Sequence, residues 1–361
     1  TAYTFGVKPE WLNLYAWGYG NNGSLAQNNT TDYSSPVQIP GDNWGVFGTK
    51  GASSYTRSHG NVKTDGTLWV WGLGNHGGLG LNATSGVLSP VQVPGTWGSV
   101  SAMHYGMTAV KTDGTLWSWG INNQGQVGDN SRTYRSSPIQ IPGTTWNPNP
   151  GYSSHGRSNN GGIKTDGTLW MWGTNAGQNN EVAYSSPVQI PGTTWNYFNC
   201  SSDYNIIATK TDGTAWAWGR NAHGQLAQNN TNNGYSSPVQ IPGTDWSAFN
   251  WGYYNIAATK TDGTGWVWGN NHAGSLGLNA PDNSLKSSPT QIPGTWSSMS
   301  GGYGNIGGAK TDGTLWVWGW NEKGQLGQNN TTYYSSPVQI PGTDWSDIEW
   351  GYWHGIGRQV R

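Results

Sequence analysis

The chain has 361 residues, a net charge of −1 and 10% charged residues, against about 25% in ordinary soluble domains. It has no basic run to displace counterions from phosphates, no long apolar segment and a single cysteine, Cys200. These features argue against nucleic-acid binding, membrane insertion, a disulfide framework and a cysteine-based metal site. The polar material is instead Gly, Asn, Ser and Thr, which suits tight turns and hydrogen-bonded loops. It resembles the make-up of secreted or virion surface proteins, so an extracellular or virion location is the expectation, with the cytoplasm as the alternative.

In chain order, the N-terminal region offers Tyr3 to Lys8, then Leu14-Tyr-Ala-Trp17-Gly and Ser35-Pro-Val-Gln-Ile39, as strand candidates without a full pair before them. From there one unit recurs. The motif Lys-Thr-Asp-Gly-Thr-Leu-Trp-x-Trp-Gly, complete at Lys310–Gly319, places its second tryptophan at Trp17, Trp71, Trp119, Trp172, Trp218, Trp268 and Trp318, at spacings of 54, 48, 53, 46, 50 and 50 residues. A period near 50 residues marks one supersecondary unit repeated in an array.

The unit from 246 to 295 shows the expected elements. Trp246 to Trp251 reads as a first strand and Asn255 to Lys260 as a second. Thr261-Asp262-Gly263-Thr264 is a hairpin turn, because Asp-Gly accepts the positive φ that twisted hairpins need. Gly265 to Trp268 is a third strand. Ser288 to Ile292 is a short fourth, whose proline suits an outer edge, and Pro293-Gly294 turns into the next unit. Alternation puts both tryptophans of Trp-Val-Trp on one face, where each ring can fill the wedge between units. Three residues after the tryptophan that opens each unit stand Phe47, Val100, Asn149, Phe198, Phe249, Met299 and Ile348, so this position is core.

After Trp345, first- and second-strand features run from Ser346 to Val360 and no third strand follows. The termini are therefore expected to share one blade, which removes two open sheet edges, with Tyr3–Lys8 and His354–Val360 competing for one strand place. The expected fold is a single all-β domain over residues 1–361. It is a seven-bladed β-propeller with four-stranded antiparallel blades, its ring closed by the N- and C-terminal segments.

The run Gly-x-x-(Asn)-x-Ala-Ala-x-Lys-Thr-Asp-Gly-Thr-Leu-Trp-x-Trp-Gly-x-Asn-x-x-Gly-Gln-Leu-Gly, best matched at residues 302–327 and 252–277, resembles the repeat of the regulator of chromosome condensation family. Its regularity is most similar to bacterial or phage-encoded versions. The resemblance implies a propeller with protein-binding roles: nucleotide exchange on a small nuclear GTPase, chromatin binding, or inhibition of β-lactamase. The sequence departs from the family where Asn205, Asn255 and Asn305 stand in place of a histidine before the second strand. It shows neither basic tails nor the nuclear member's extra loop, which sets a guanine-nucleotide exchange role behind the others.

Function is expected on the face of the long loops, since the Thr-Asp-Gly-Thr and Pro-Gly turns of the opposite face hardly vary between units. Of 25 tryptophans, 13 belong to the third-strand motif and seven open first strands, leaving Trp11, Trp251, Trp320, Trp350 and Trp353. With Tyr253, Tyr254, Tyr303, Tyr352 and His354, the last four form the candidate binding residues. They either plug the central channel or make an aromatic patch for a partner. The hairpin aspartates stand one unit apart, too far for acid–base work. Asp203, Glu322, Asp347 and Glu349 lack an obvious partner, and His76, His223 and His272 lie in equivalent loops of different units. No catalytic residue, metal site or cofactor is assigned. The reading is a non-enzymatic interaction or structural module whose partner is another protein or further copies of itself, with lectin-like glycan binding as the alternative.

Overall fold

The computed structural model describes residues 12–45, 57–103, 105–201, 204–280, 282, 284–351 and 353–360. The unit used above forms as its pattern dictates: strands Trp246–Trp251, Asn255–Lys260 and Thr264–Asn270 follow one another as antiparallel neighbours. The second strand is buried on both faces, continuously from Asn255 to Thr259, and Val100, Phe198, Phe249, Met299 and Ile348 are at most 3% exposed. The Asp-Gly turns carry positive φ at glycine, +81° at Gly263, and the Asp262 carboxylate accepts from the N–H and hydroxyl of Thr264 at 2.9 and 2.7 Å.

The arrangement of sheets corrects the expectation of seven separate four-stranded blades. The described residues form six hydrogen-bonded sheets: four of four strands, one of three, and one of seven. The fold is thus an all-β propeller of five blade-sized sheets and one larger sheet. The larger sheet arises because the expected short fourth strand is instead the 17-residue strand Leu285–Gly301, unbroken through Pro293-Gly294. It pairs with Thr264–Asn270 on one side and Asn305–Lys310 on the other.

Two causes act together there. Most turns between units hold an extra residue in the left-handed region, such as Thr145, Thr194, Asp245 or Asp344, and the Pro293-Gly294-Thr295 connection lacks it. A further ladder pair, Thr264 with Thr295, carries the strand across. The equally short connection after Val93 has no such pair, and its strand ends there. The three-stranded sheet comprises Ser58–Val62, Leu68–Gly72 and Val87–Val93. The first strand expected for that unit, with Phe47, lies outside the described residues beyond the Trp44–Lys63 bridge.

The two ends of the chain meet in one sheet, ordered Tyr33–Gln38, Leu12–Gly18, His354–Val360, Trp345–Trp350. Its central pair runs from Leu12 opposite Val360 to Gly18 opposite His354. His354–Val360 thus holds the second-strand place; Tyr3–Lys8 lies outside the described residues.

The two tryptophans of each motif do different work. The second is at most 1% exposed at all seven positions. Its indole N–H donates to a backbone carbonyl of the preceding repeat: Trp71 to Ser24, Trp119 to Gly78, Trp172 to Gln126, Trp218 to Asn175, Trp268 to Gln225 and Trp318 to Ser275, at 2.9–3.2 Å. Trp17 completes the circle on Gln325 at 2.6 Å. Burying each ring contributes roughly 4–6 kcal/mol as an upper bound. The first tryptophan is only partly covered. Trp266 donates to Thr264 Oγ1 at 2.9 Å, and Lys260 Nζ lies 4.8 Å from the Trp246 ring and 5.3 Å from the Trp266 ring. The lysine of the motif is thereby explained as a cation shared by two indoles.

Replacing the indole by a smaller ring without a donor separates these roles. Trp268→Phe leaves the Gln225 carbonyl buried without its donor and should cost about 1–3 kcal/mol, whereas Trp266→Phe should cost less than about 1 kcal/mol. Urea unfolding of the two variants measures the difference.

Candidate functional site

The long loops are held by their own side chains before any partner is considered. Asn321 accepts from the Leu326 N–H at 2.8 Å and donates to the Asn330 and Thr332 carbonyls at 3.0 Å. Asn329, in the left-handed conformation at φ 55°, donates its backbone N–H to the Ser34 carbonyl of the neighbouring repeat at 2.9 Å. Asparagine recurs in these loops because it tolerates that conformation. The loops therefore form a fixed rim from which non-repeating side chains project.

The structure divides the expected site residues. Trp251 and Trp350 end first strands and are 2% and 0% exposed. Their indoles donate to the Asn199 and Ser300 carbonyls of the preceding repeats at 3.2 and 3.1 Å. Trp350 covers Gly302 and Gly307, where an added Cβ would lie 3.0 Å from it. This removes both residues from the surface patch: they pack between repeats. His354 is likewise 1% exposed, with its Nε2 2.7 Å from His59 Nε2. Tyr352 lies outside the described residues.

The other five expected residues come together as one chain of rings on the loop face, all partly exposed. Tyr254 and Tyr253 lie 3.9 Å apart between centroids; Tyr253 stacks on Tyr303 at 4.9 Å and 29°. Tyr303 meets Trp320 at 5.2 Å, and Trp320 meets Trp353 at 5.9 Å edge-on.

The arc extends to residues that sequence reasoning did not include. His223 lies 4.1 Å from Tyr254, His272 lies 6.0 Å from Trp320, and Tyr19 lies 5.3 Å from Trp353. The Tyr333 hydroxyl accepts from Trp320 Nε1 at 2.5 Å, and this tyrosine is 48% exposed. The available signal was the residue that follows each Trp-x-Trp-Gly, which is Tyr19, Arg220, Asn270 and Trp320 in different units. A cleft of about 190 Å³ opens within the arc, lined by Tyr253, Tyr254, Asn255, Asn270, His272 and Tyr303. A larger groove of about 470 Å³ adjoins Glu181, Tyr204 and Arg220, whose guanidinium carbon is 4.7 Å from the Tyr204 ring centre.

The titratable groups do not assemble into a catalytic centre among the described residues, and those residues contain no group of three or more metal-ligating side chains. The hairpin carboxylate of Asp312 is held below the usual range first by the Thr314 hydroxyl and then by its N–H. Burial pushes the Cys200 thiol up to about 12, which leaves it protonated and inert. Glu349, enclosed by protein though not wholly covered, is pushed up to about 8 by burial first and then by the charge of Asp347. His59 is lowered to about 3 by burial, and His354 is lowered by burial and then by the charges of His59 and Arg57.

The Regulator of chromosome condensation (RCC1) repeat matches residues 65–107, 113–148, 212–254 and 312–356. Four stretches of the chain are thus RCC1 repeats, and the fold is a β-propeller. Similar solved structures carry the same architecture. Yeast RCC1 (Prp20), solved bound to Kap60, superposes with a TM-score of 0.82 at 16% identity over 98% of this chain and 90% of that one. Prp20p from Saccharomyces cerevisiae, described with its binding to Gsp1p and histones, gives 0.84 at 15% identity over 98% and 92%. Human WBSCR16 gives 0.79 at 18% identity over 98% and 99%. At these identities the likeness is one of fold. No curated protein sequence matches the chain. The chain's own repeat accounts for the strands and the buried indoles; the arc is built from positions that differ between its copies.

Two outcomes follow from this division. Trp350→Ala should destabilise the protein by about 3–5 kcal/mol, as an emptied core site does, whereas Trp320→Ala on the partly exposed arc should cost about 1 kcal/mol or less. Denaturant titration distinguishes them. The histidine pair sets the second outcome. Its folded pKa values lie below the unfolded value near 6.5, so its contribution is complete above that pH and is lost as pH falls toward about 3. His354→Asn, which installs the residue found at Asn255 and Asn305, should flatten the loss of stability between pH 6.5 and 4. Urea midpoints taken across that range provide the check.

Proposed function

We propose that this propeller is a non-enzymatic protein-interaction module that engages its partner through the aromatic arc, with Tyr253, Tyr254, Tyr303, Trp320 and Trp353 as the contact residues. One observation carries the reading: the fold buries the aromatics it needs for packing, yet leaves this unbroken line of rings partly exposed on a rigid rim. Rigid tyrosine and tryptophan side chains supply contact area at little entropic cost, which is why they dominate binding hot spots. The low charge of the chain favours such a contact over electrostatic capture. A protein partner also agrees with the description of Prp20p through Gsp1p and histones. Placement on a virion or cell exterior belongs to the same proposal and rests on the charge-poor, asparagine-rich composition.

A small GTPase of the Gsp1p kind and core histones are the first probes, titrated calorimetrically against the wild type, Trp320→Ala and Trp353→Ala. Each substitution should weaken a genuine complex at least tenfold with the melting temperature nearly unchanged, the behaviour of a hot spot worth about 2 kcal/mol. Unchanged affinity in the double variant would refute the arc as the binding face. A glycan array whose hits disappear in the same variants would transfer the arc to a lectin-like role.

A further inference from the structure

We infer that the cleft inside the arc receives a cationic side chain, an arginine of the protein partner. This rests on the reading of the arc as the partner-binding face and specifies what that partner presents. The walls are the rings of Tyr253, Tyr254 and Tyr303, whose faces and edges form a π-rich surface around about 190 Å³, room for one side chain. At the base lie Asn255, 2% exposed, whose Oδ1 packs against Gly252, and the partly exposed Asn270. The Asn159 and Asn305 oxygens pack the same way, against Gly156 and Gly302. Asn255 differs in that it lines a tyrosine-walled cleft together with Asn270. Among the described residues, neither lysine nor arginine lines the cleft. At its rim, the Asp282 carboxylate accepts from the Ala273 N–H at 2.5 Å and lies 3.9 Å from Nδ1 of the lining residue His272. Aromatic faces, neutral amide side chains and a carboxylate at the rim are surroundings that suit a guanidinium.

The repeat itself supplies the precedent. One unit earlier, the residue after Trp-x-Trp-Gly is Arg220, and its guanidinium carbon sits 4.7 Å from the centre of the Tyr204 ring. Tyr204 precedes Asn205 as Tyr254 precedes Asn255, and Asn270 follows Gly269 as Arg220 follows Gly219. One unit therefore fills the position with its own arginine. In the next, the short Asn270 leaves the place to an arginine from outside.

The test uses the full chain and the tripeptide acetyl-Gly-Arg-Gly-amide, with its citrulline counterpart as a neutral isostere. The side-chain amide resonances of Asn255 and Asn270 report occupancy by NMR. The arginine peptide should shift both resonances saturably and bind at least tenfold more tightly than the citrulline peptide. Asn270→Arg, which fills the cleft as Arg220 does one unit earlier, should abolish the response with the melting temperature retained. Equal binding of the two peptides, no saturation, or shifts confined to other residues in the wild type would overturn the inference, and these wild-type readings stand even if the variant folds poorly. Partner binding lost in Trp320→Ala without any response to arginine overturns this inference and keeps the arc. A response to arginine alongside a partner indifferent to Trp320→Ala and Trp353→Ala does the reverse.

Discussion

The structure depends on a closed circle of indole hydrogen bonds. Each motif's second tryptophan reaches out of its own sheet to a carbonyl of the repeat before it, and Trp17 returns the circle to Gln325. A single such bond is worth about 1 kcal/mol, but its donor is a buried ring that also fills the wedge between neighbours. Orientation and packing are fixed by one side chain. A second circle lies above it, where loop N–H groups such as those of Asn279 and Asn329 reach the carbonyls of Ser335 and Ser34 in the next repeat. Between them the two circles define a rigid rim, and the rim makes the positions of Tyr303, Trp320 and Trp353 relative to one another a property of the fold.

That constraint explains what was legible in the sequence. The strands Trp246–Trp251 and Asn255–Lys260 fall where the repeat and the Asp-Gly turn place them, because each is decided within a few residues. The union of two repeats through Leu285–Gly301 was not legible. It turns on one missing residue in a turn and one extra ladder pair, and the same Pro-Gly-Thr-Trp string ends a strand elsewhere in the chain.

The candidate site was readable in part for a related reason. Subtracting the repeat leaves Trp251, Trp350 and Trp320 looking alike, yet two are interior and one belongs to the rim. The difference is set by the neighbouring repeat. Gly302 and Gly307 vacate the space that Trp350 occupies, a complementarity between units that inspection of either unit alone does not show. The arc itself joins residues from separate stretches of the chain, among them Tyr19, Tyr253–Tyr254, Tyr303, Trp320 and Trp353, whose adjacency is a product of ring geometry. The pairing of His354 with His59 is of the same kind, since it spans the closure of the ring.

The shared sheet at that closure has a mechanical consequence. Leu12 stands opposite Val360 and Gly18 opposite His354, so both ends of the ladder's two strands emerge at the same edge. A load pulling the termini apart acts on the outermost pair first and then on the next, like a zip, and never on all the pairs together. The ring is well sealed against thermal opening, in which the pairs must break collectively with the packing behind them, yet it yields readily to traction on its ends. Tethers at both ends, pulled against each other, would meet the softest direction of an otherwise stiff ring.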